Sequence, residues 1–246
     1  TCVDGQLNTV KRGCGHCGTF THTGGKMRLR WGIDKTSQPI CRWAFEDQTG
    51  RNTGLFGADC DLNLVGNADA TDGCLVIPYG DSSYAHTMNN LDLTGVREMS
   101  AAFWIRNPKR KNYGLLFEFS PNYSGCSGSF YVSYNTETHK WEIGRKSQWG
   151  DLSIVGYDDS GVKTLEDGNW HHCTVVYRNG EWPNIDLYVD GVKMTVNDPY
   201  PQYKSNTKNF TFAGDQKLYL CGRGLKTSQQ ATLDNVTFYS QALTAG

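Results

Sequence analysis

From Ile40 onward the chain is a succession of short apolar runs separated by turn residues. Cys41-Arg-Trp-Ala-Phe45 and Cys74-Leu-Val-Ile-Pro-Tyr79 come first. In Met99-Ser-Ala-Ala-Phe-Trp-Ile-Arg106 the apolar Met99, Ala101, Phe103 and Ile105 fall on one face, the period of two that marks a half-buried strand. Tyr113–Phe119, Ser129–Tyr134 and the β-branched, aromatic run Trp170–Tyr177 continue the series. Ile185–Val189 runs into Asp190-Gly191 and out through Val192–Val196. Asp-Gly between alternating segments predicts a type I′ hairpin, because both residues tolerate positive φ. Lys217–Gly222 and Ala231–Tyr239 close the set, and no amphipathic pattern longer than two helical turns interrupts it. The pattern predicts an all-β, two-sheet antiparallel sandwich or jelly roll.

Residues 1–41 read differently. Cys2, Cys14, Cys17 and Cys41 sit among Gly, Thr, Lys and Arg with little apolar periodicity, so cross-links are the expected staple of a small cysteine-rich module preceding a domain at 42–246. Four cysteines allow three pairings, which spacing leaves open. Nine cysteines in 246 residues point to disulfides and an oxidising, secreted or cell-surface setting. Cys60, Cys74, Cys173 and Cys221 join the four as disulfide candidates, and the odd count leaves at least one thiol free or paired between chains. A formal net charge of −1 argues against duplex nucleic acid, and no apolar run approaches the length of a membrane span or signal-peptide core. A start at Thr1 fits a processed or excised form. Asn122, Asn209 and Asn235 head glycosylation triplets.

The order Phe103-Trp-Ile-Arg106, Asp167-Gly-Asn-Trp-His-His172, Leu187-Tyr-Val-Asp-Gly191, Leu218-Tyr-Leu-Cys-Gly222 and Leu233-Asp-Asn-Val-Thr-Phe-Tyr239, with Gln241-Ala-Leu243, resembles the laminin-G-like jelly roll of the concanavalin A-like superfamily, which includes pentraxins. The resemblance implies the fold and not one function, since this architecture hosts lectins, adhesion modules, hydrolases and structural parts. Cys173 falls where pentraxins place a cysteine, but the usual partner position is Ala102 here, and Cys221 is the alternative candidate partner. The acidic calcium loop of pentraxins is not recognisable between Gly222 and Leu233, so phosphocholine binding is not implied.

The chemical motifs are weak as enzyme signals. Cys14-Gly-His-Cys17 has the redox spacing but lacks a strand before it and a helix after it. A zinc knuckle from Cys14, Cys17, Cys41 and His16 or His22 lacks a second close pair. His171 and His172 are adjacent in a strand and point to opposite faces, which suits a structural role better than chelation. Glycoside hydrolases on this fold need carboxylates on alternate positions of one strand. Glu118, Glu142 and Glu166 are single, while Asp158-Asp159, Asp186 and Asp190 sit at loop or hairpin positions, where polar residues are ordinary. Binding is better served. Tyr200 and Tyr203 on one long polar stretch, and Trp149 and Tyr157 on another, are rings on which sugars stack. No cofactor is implied, and calcium rests on Asp158-Asp159 alone. The expectation is a non-catalytic extracellular module that recognises glycan or protein through its loops. The alternative is a self-assembling subunit of an extracellular filament, coat or pilus-like structure. Nucleic-acid binding and membrane insertion are not expected.

Overall fold

The computed structural model describes residues 38–78, 82–109, 114–120, 129–148, 151–158, 165–179, 184–196, 210, 212, 214–223 and 229–244, with four two-residue strands nearer the N-terminus. The chain divides into two compact units, Thr1–Asp34 and Lys35–Gly246. In the first, β1 (Cys2–Val3) pairs with β2 (Gln6–Leu7), and β3 (Val10–Lys11) pairs with β4 (Cys17–Gly18), both antiparallel. Cys14 lies outside the described residues.

The second unit is a sandwich. Its strands are β5 (Cys41–Trp43), β6 (Leu62–Val65), β7 (Leu75–Ile77), β8 (Tyr84–Thr87), β9 (Met99–Lys109), β10 (Gly114–Ser120), β11 (Ser129–Asn135), β12 (Lys140–Gln148), β13 (Asp151–Asp158), β14 (His171–Tyr177), β15 (Ile185–Val189), β16 (Val192–Lys193), β17 (Lys217–Leu220) and β18 (Gln230–Tyr239). Sheet 1 has the order β16-β15-β14-β9-β18-β5, with β7 also on β18; sheet 2 runs β13-β12-β11-β10-β17-β8-β6. Among the described residues every strand pair is antiparallel, and no helix is long and apolar enough to cross a membrane.

The alternation read from the sequence becomes the core. Phe103 stands opposite Cys173, which stands opposite Val189, so three strands present one apolar row inward. Aromatic rings join the two sheets. Phe238 of sheet 1 meets Phe117 at 5.0 Å and Phe119 at 5.3 Å in edge-to-face geometry, and Tyr177 meets Phe130 at 5.5 Å. Arg145 is an exception to the apolar interior. It is buried, its Nη1 donates to the Tyr177 hydroxyl at 2.6 Å, and its guanidinium lies 5.5 Å from the Phe210 ring.

Several expectations are corrected here. β12 and β13 form a long hairpin where loop residues were expected. Asp158 pairs with Lys140 and Tyr157 pairs with Trp141, while Asp186 lies in β15, in the hairpin expected for it, opposite Val176. Cys41 lies in the sandwich, where it bonds Cys60 across a Cα separation of 6.0 Å. This bond ties β5, at the end of sheet 1, to the 3₁₀ turn Gly57–Cys60 that leads into β6, at the end of sheet 2. Trp43 Nε1 donates to the Cys60 carbonyl at 2.9 Å beneath it. Closing a 19-residue span contributes about 3 kcal/mol in the chain-entropy account. Cys74, Cys173 and Cys221 are buried thiols instead of disulfide partners. Cys173 lies within sheet 1, whereas Cys221 follows β17 and is hydrogen-bonded through its backbone to Leu116 and Gln229. Burial raises both thiols above their ordinary pKa, which makes them inert.

Candidate functional site

The outward positions of the two sheets make two different surfaces. On sheet 1, β14 directs His172, Thr174 and Val176 away from the core, at the parity opposite to Cys173 and Val175. Ladder pairing sets Trp104 beside His172, Ala102 beside Thr174 and Ser100 beside Val176, and on the other side Tyr188 beside Thr174. The small Ala102 and Ser100 leave a trough. Ser100 Oγ donates to the Gln241 carbonyl at 2.8 Å and accepts from the Leu243 amide at 2.9 Å, which lays the C-terminal segment along it. The result is a groove of about 360 Å³ lined by His172, Thr174, Val176, Arg178, Tyr188, Gly191, Leu243 and Thr244.

Rings continue the groove along β9. Trp104 is 39% exposed, with its ring 5.1 Å from that of His172. The Arg106 guanidinium lies 4.8 Å over the Trp170 ring, a cation–π contact. Burial lowers the His172 pKa against the pull of Asp190, so this imidazole is neutral at pH 7. At the other rim Asp186 accepts from Arg178 at 2.5 Å and from Lys193 at 2.6 Å. Burial alone would raise its carboxyl, but the two cations hold it below the usual range.

The base of this surface is fixed by a turn. Asp190 and Gly191 have φ of 51° and 77°, the type I′ conformation expected from Asp-Gly. The Asp190 carboxylate accepts from the His172 amide at 2.9 Å through one oxygen and contacts His171 Nδ1 at 2.8 Å through the other. The two histidines therefore diverge, His171 buried and His172 on the groove.

Sheet 2 turns a different row outward. Asn63, His86, Tyr219, Glu118, Tyr131 and Gly144 are consecutive ladder partners across six strands. Tyr84, His86 and Tyr219 cluster with centroids 5.9–6.3 Å apart. Asn63 Nδ2 lies 3.0 Å from His86 Nε2 while Nδ1 reaches the Thr87 carbonyl at 2.8 Å, so Nδ1 carries the proton and Nε2 accepts. Glu118 is only 3% exposed and accepts from Arg223 at 2.6 Å. Burial pushes its carboxyl up to about 7, against Arg223 and the Ser120 hydroxyl. Gly144 leaves space for Tyr131, whose ring atoms would lie 2.2 Å from a Cβ there.

Of the residues singled out in the sequence, Trp149, Tyr200, Tyr203, Asn122, Asn209 and Asp159 lie outside the described residues, and Tyr157 is known by its ladder partner Trp141. Asn235 sits half-buried at an irregularity of β18, with φ 47° and its Nδ2 on Asp234. Among the described residues no group of three or more His, Cys, Asp or Glu is placed to hold a metal ion. Sequence reasoning missed Trp104, Thr174 and Tyr188. Their signal was their parity, polar or aromatic residues at the outward positions of strands whose inward positions were already assigned.

Comparison with known proteins bears on the fold. A family model described as the Concanavalin A-like lectin/glucanases superfamily (Laminin_G_3) matches residues 79–246. No curated protein matches the sequence. Among solved structures the chain is similar to the binding domain of botulinum neurotoxin DC in complex with SialylT, at 11% identity and a TM-score of 0.59 over 86% of this chain and 50% of that one. It is also similar to the binding domain of Paraclostridial Mosquitocidal Protein 1, at 14% identity and 0.52, over 86% and 51%. The chain thus spans about half the length of these toxin domains. Domain 4 of AbnA, an extracellular arabinanase from Geobacillus stearothermophilus, in complex with arabinotriose, matches at 16% identity and 0.53 over 84% of this chain and 94% of that domain. The match to more than half of its length, on a two-sheet antiparallel frame, makes this chain a member of the concanavalin A-like lectin/glucanase superfamily.

Proposed function

We propose that the chain is a non-catalytic extracellular recognition module that holds a saccharide ring of a glycan in the groove on the outer face of sheet 1. The observation that carries this reading is Trp104, an exposed indole set beside a neutral imidazole at the edge of a groove with Thr174 and Tyr188 hydroxyls on its walls. Sugar rings present C–H faces that stack on indoles and hydroxyls that need directional partners. The volume is at the lower end of what small-ligand sites occupy, roughly 300–1,000 Å³, and suits one or two sugar units. No carboxylate is among the groove's described lining residues, which supports binding without turnover. The glycan complexes of the SialylT-bound toxin domain and the arabinotriose-bound arabinanase domain support the ligand class. The Cys41–Cys60 disulfide supports an oxidising setting. Trp149, Tyr200 and Tyr203 are proposed as further ligand contacts.

A glycan array probed with the wild-type chain and with Trp104→Ala tests this. The expected result is a reproducible saccharide hit that the variant loses by tenfold or more, as for a central aromatic anchor. Equal binding by both proteins, or an array with no hit beside tight capture of a protein ligand, contradicts it.

A further inference from the structure

His171 is 2% exposed and has a carboxylate oxygen on each ring nitrogen: Asp167 Oδ1 lies 2.9 Å from Nε2 and Asp190 Oδ2 lies 2.8 Å from Nδ1. An ionised carboxylate only accepts hydrogen bonds, so both nitrogens must donate, and only the imidazolium carries both protons. Asp167 is ionised. Its pKa is held well below the usual range, first by the Asn169 side chain and then by His171. We infer that His171 is a buried imidazolium at neutral pH, and that this charge clasps the segment before β14 to the β15–β16 turn and so positions the wall of the groove.

The geometry makes the link short. The carboxylate of Asp190 that meets His171 also holds the His172 amide, and Asp190 is followed by Gly191, which lines the groove. His171 is thus a positioning residue, two bonds of hydrogen-bonded structure away from the ligand surface. Among the described residues, the other groups around it do not compete. On β14, His172 is neutral and the Cys173 thiol is raised by burial and by Asp190. On β9 its ladder neighbour is Ile105, and the adjacent Arg106 is stacked on Trp170. The segment before the strand and the turn after β15 contribute Asp167 and Asp190.

The direction of the pH effect follows. Burial opposes the charge of His171, but Asp190 and Asp167 together raise its pKa above 6.5. A raised pKa gives stabilisation that is complete below the unfolded value and lost as pH rises through the folded one. Deprotonation leaves one lone pair facing a carboxylate, so one end of the clasp is released and the groove wall loosens at alkaline pH.

The positioning half of this inference rests on the recognition reading; the charge state does not. Long-range ¹H–¹⁵N spectra of the histidine-labelled intact chain, from about pH 5.5 to 9.5, read the charge directly. Expected are two protonated ring nitrogens for His171 at pH 7, titrating above His172. A neutral-tautomer pattern at pH 7 overturns the inference. Asp167→Asn removes one anionic acceptor and moves the His171 midpoint down by about one pH unit or more. Saccharide affinity and the Gly191 and Tyr188 amide shifts move with that midpoint if His171 positions the groove. Amide shifts that ignore the titration in both proteins overturn the positioning role. A chain that binds no saccharide, yet shows coupled amide shifts, sinks the recognition reading and leaves the clasp standing.

Discussion

The outward faces of the two sheets are built from the same alternation and end in opposite states. Sheet 1 puts Ala102 and Ser100 beside a half-exposed Trp104 and leaves a trough. Sheet 2 puts Glu118 and Tyr219 in its central row, and both are buried. There the polar groups satisfy one another: Arg223 on Glu118, Asn63 on His86, the Tyr131 ring against Gly144. Polar and aromatic residues on a sheet face therefore do not by themselves make a binding site. The difference is whether the partners are already supplied within the chain. Sheet 1 pairs its charged groups in the Arg178–Asp186–Lys193 set, of which Arg178 reaches the groove already paired with Asp186, and keeps rings and hydroxyls toward the trough.

The contrast can be broken most severely at Glu118. Glu118→Ala leaves Arg223 without its 2.6 Å carboxylate, and a loss of about 3 kcal/mol in urea or guanidinium unfolding is expected, the lower end for a broken buried pair because Arg223 is partly exposed. Glycan affinity of the folded fraction stays unchanged. The opposite pattern follows at Trp104. Trp104→Ala changes stability by under about 1 kcal/mol, because the indole is partly exposed, while saccharide affinity falls tenfold or more. Together the two variants exchange effects between the faces, which calorimetry and thermal melts read out on the same samples.

A smaller effect sharpens the picture in pH. The Glu118 carboxyl is raised to about 7 from its ordinary 4.5. An acid raised in the folded state stabilises the fold while protonated, so its contribution is present at acid pH and lost as pH rises through about 7. Glu118→Gln removes that part of the decline from a series of melts at pH 5 to 8, while the part due to His171 remains. The mildest test is Gly144→Ala. The new Cβ meets the Tyr131 ring, which must swing aside at a cost of about 1 kcal/mol, and the groove on the other sheet is unaffected.

Much of sheet 1 was legible in the sequence because its inward positions are clean. Met99, Ala101, Phe103 and Ile105, and the run from Trp170 to Tyr177, gave strands whose residues share β9 and β14 as expected, and Asp190-Gly191 formed its turn. The same alternation already held the groove, since Trp104 and Tyr188 are what remains at outward positions. The β12–β13 hairpin was hidden for a physical reason. Lys140-Trp-Glu-Ile-Gly-Arg-Lys-Ser-Gln148 has Trp141 and Ile143 inward, but the next inward residue is Arg145, whose charge breaks the pattern and is received in part by the Tyr177 hydroxyl and the Phe210 ring. The Cys41–Cys60 bond was hidden because it depends on how the segment 44–61 folds back. Asn52 directs that return: its Oδ1 accepts from the Arg42 and Gly54 amides, its Nδ2 donates to the Gly57 carbonyl, and its own amide donates to Asp61. The His171 clasp was half visible. Its residue was named, but the two aspartates that charge it come together only once β14 lies beside β15.

The most direct test maps a bound saccharide by chemical-shift perturbation on the labelled intact chain. The account predicts that the Trp104 indole and the amides of Thr174, Tyr188 and Gly191 shift together and saturate at one affinity. Perturbations centred instead on Tyr84, His86 and Tyr219, with the Trp104 indole unmoved, would place recognition on sheet 2 and contradict it.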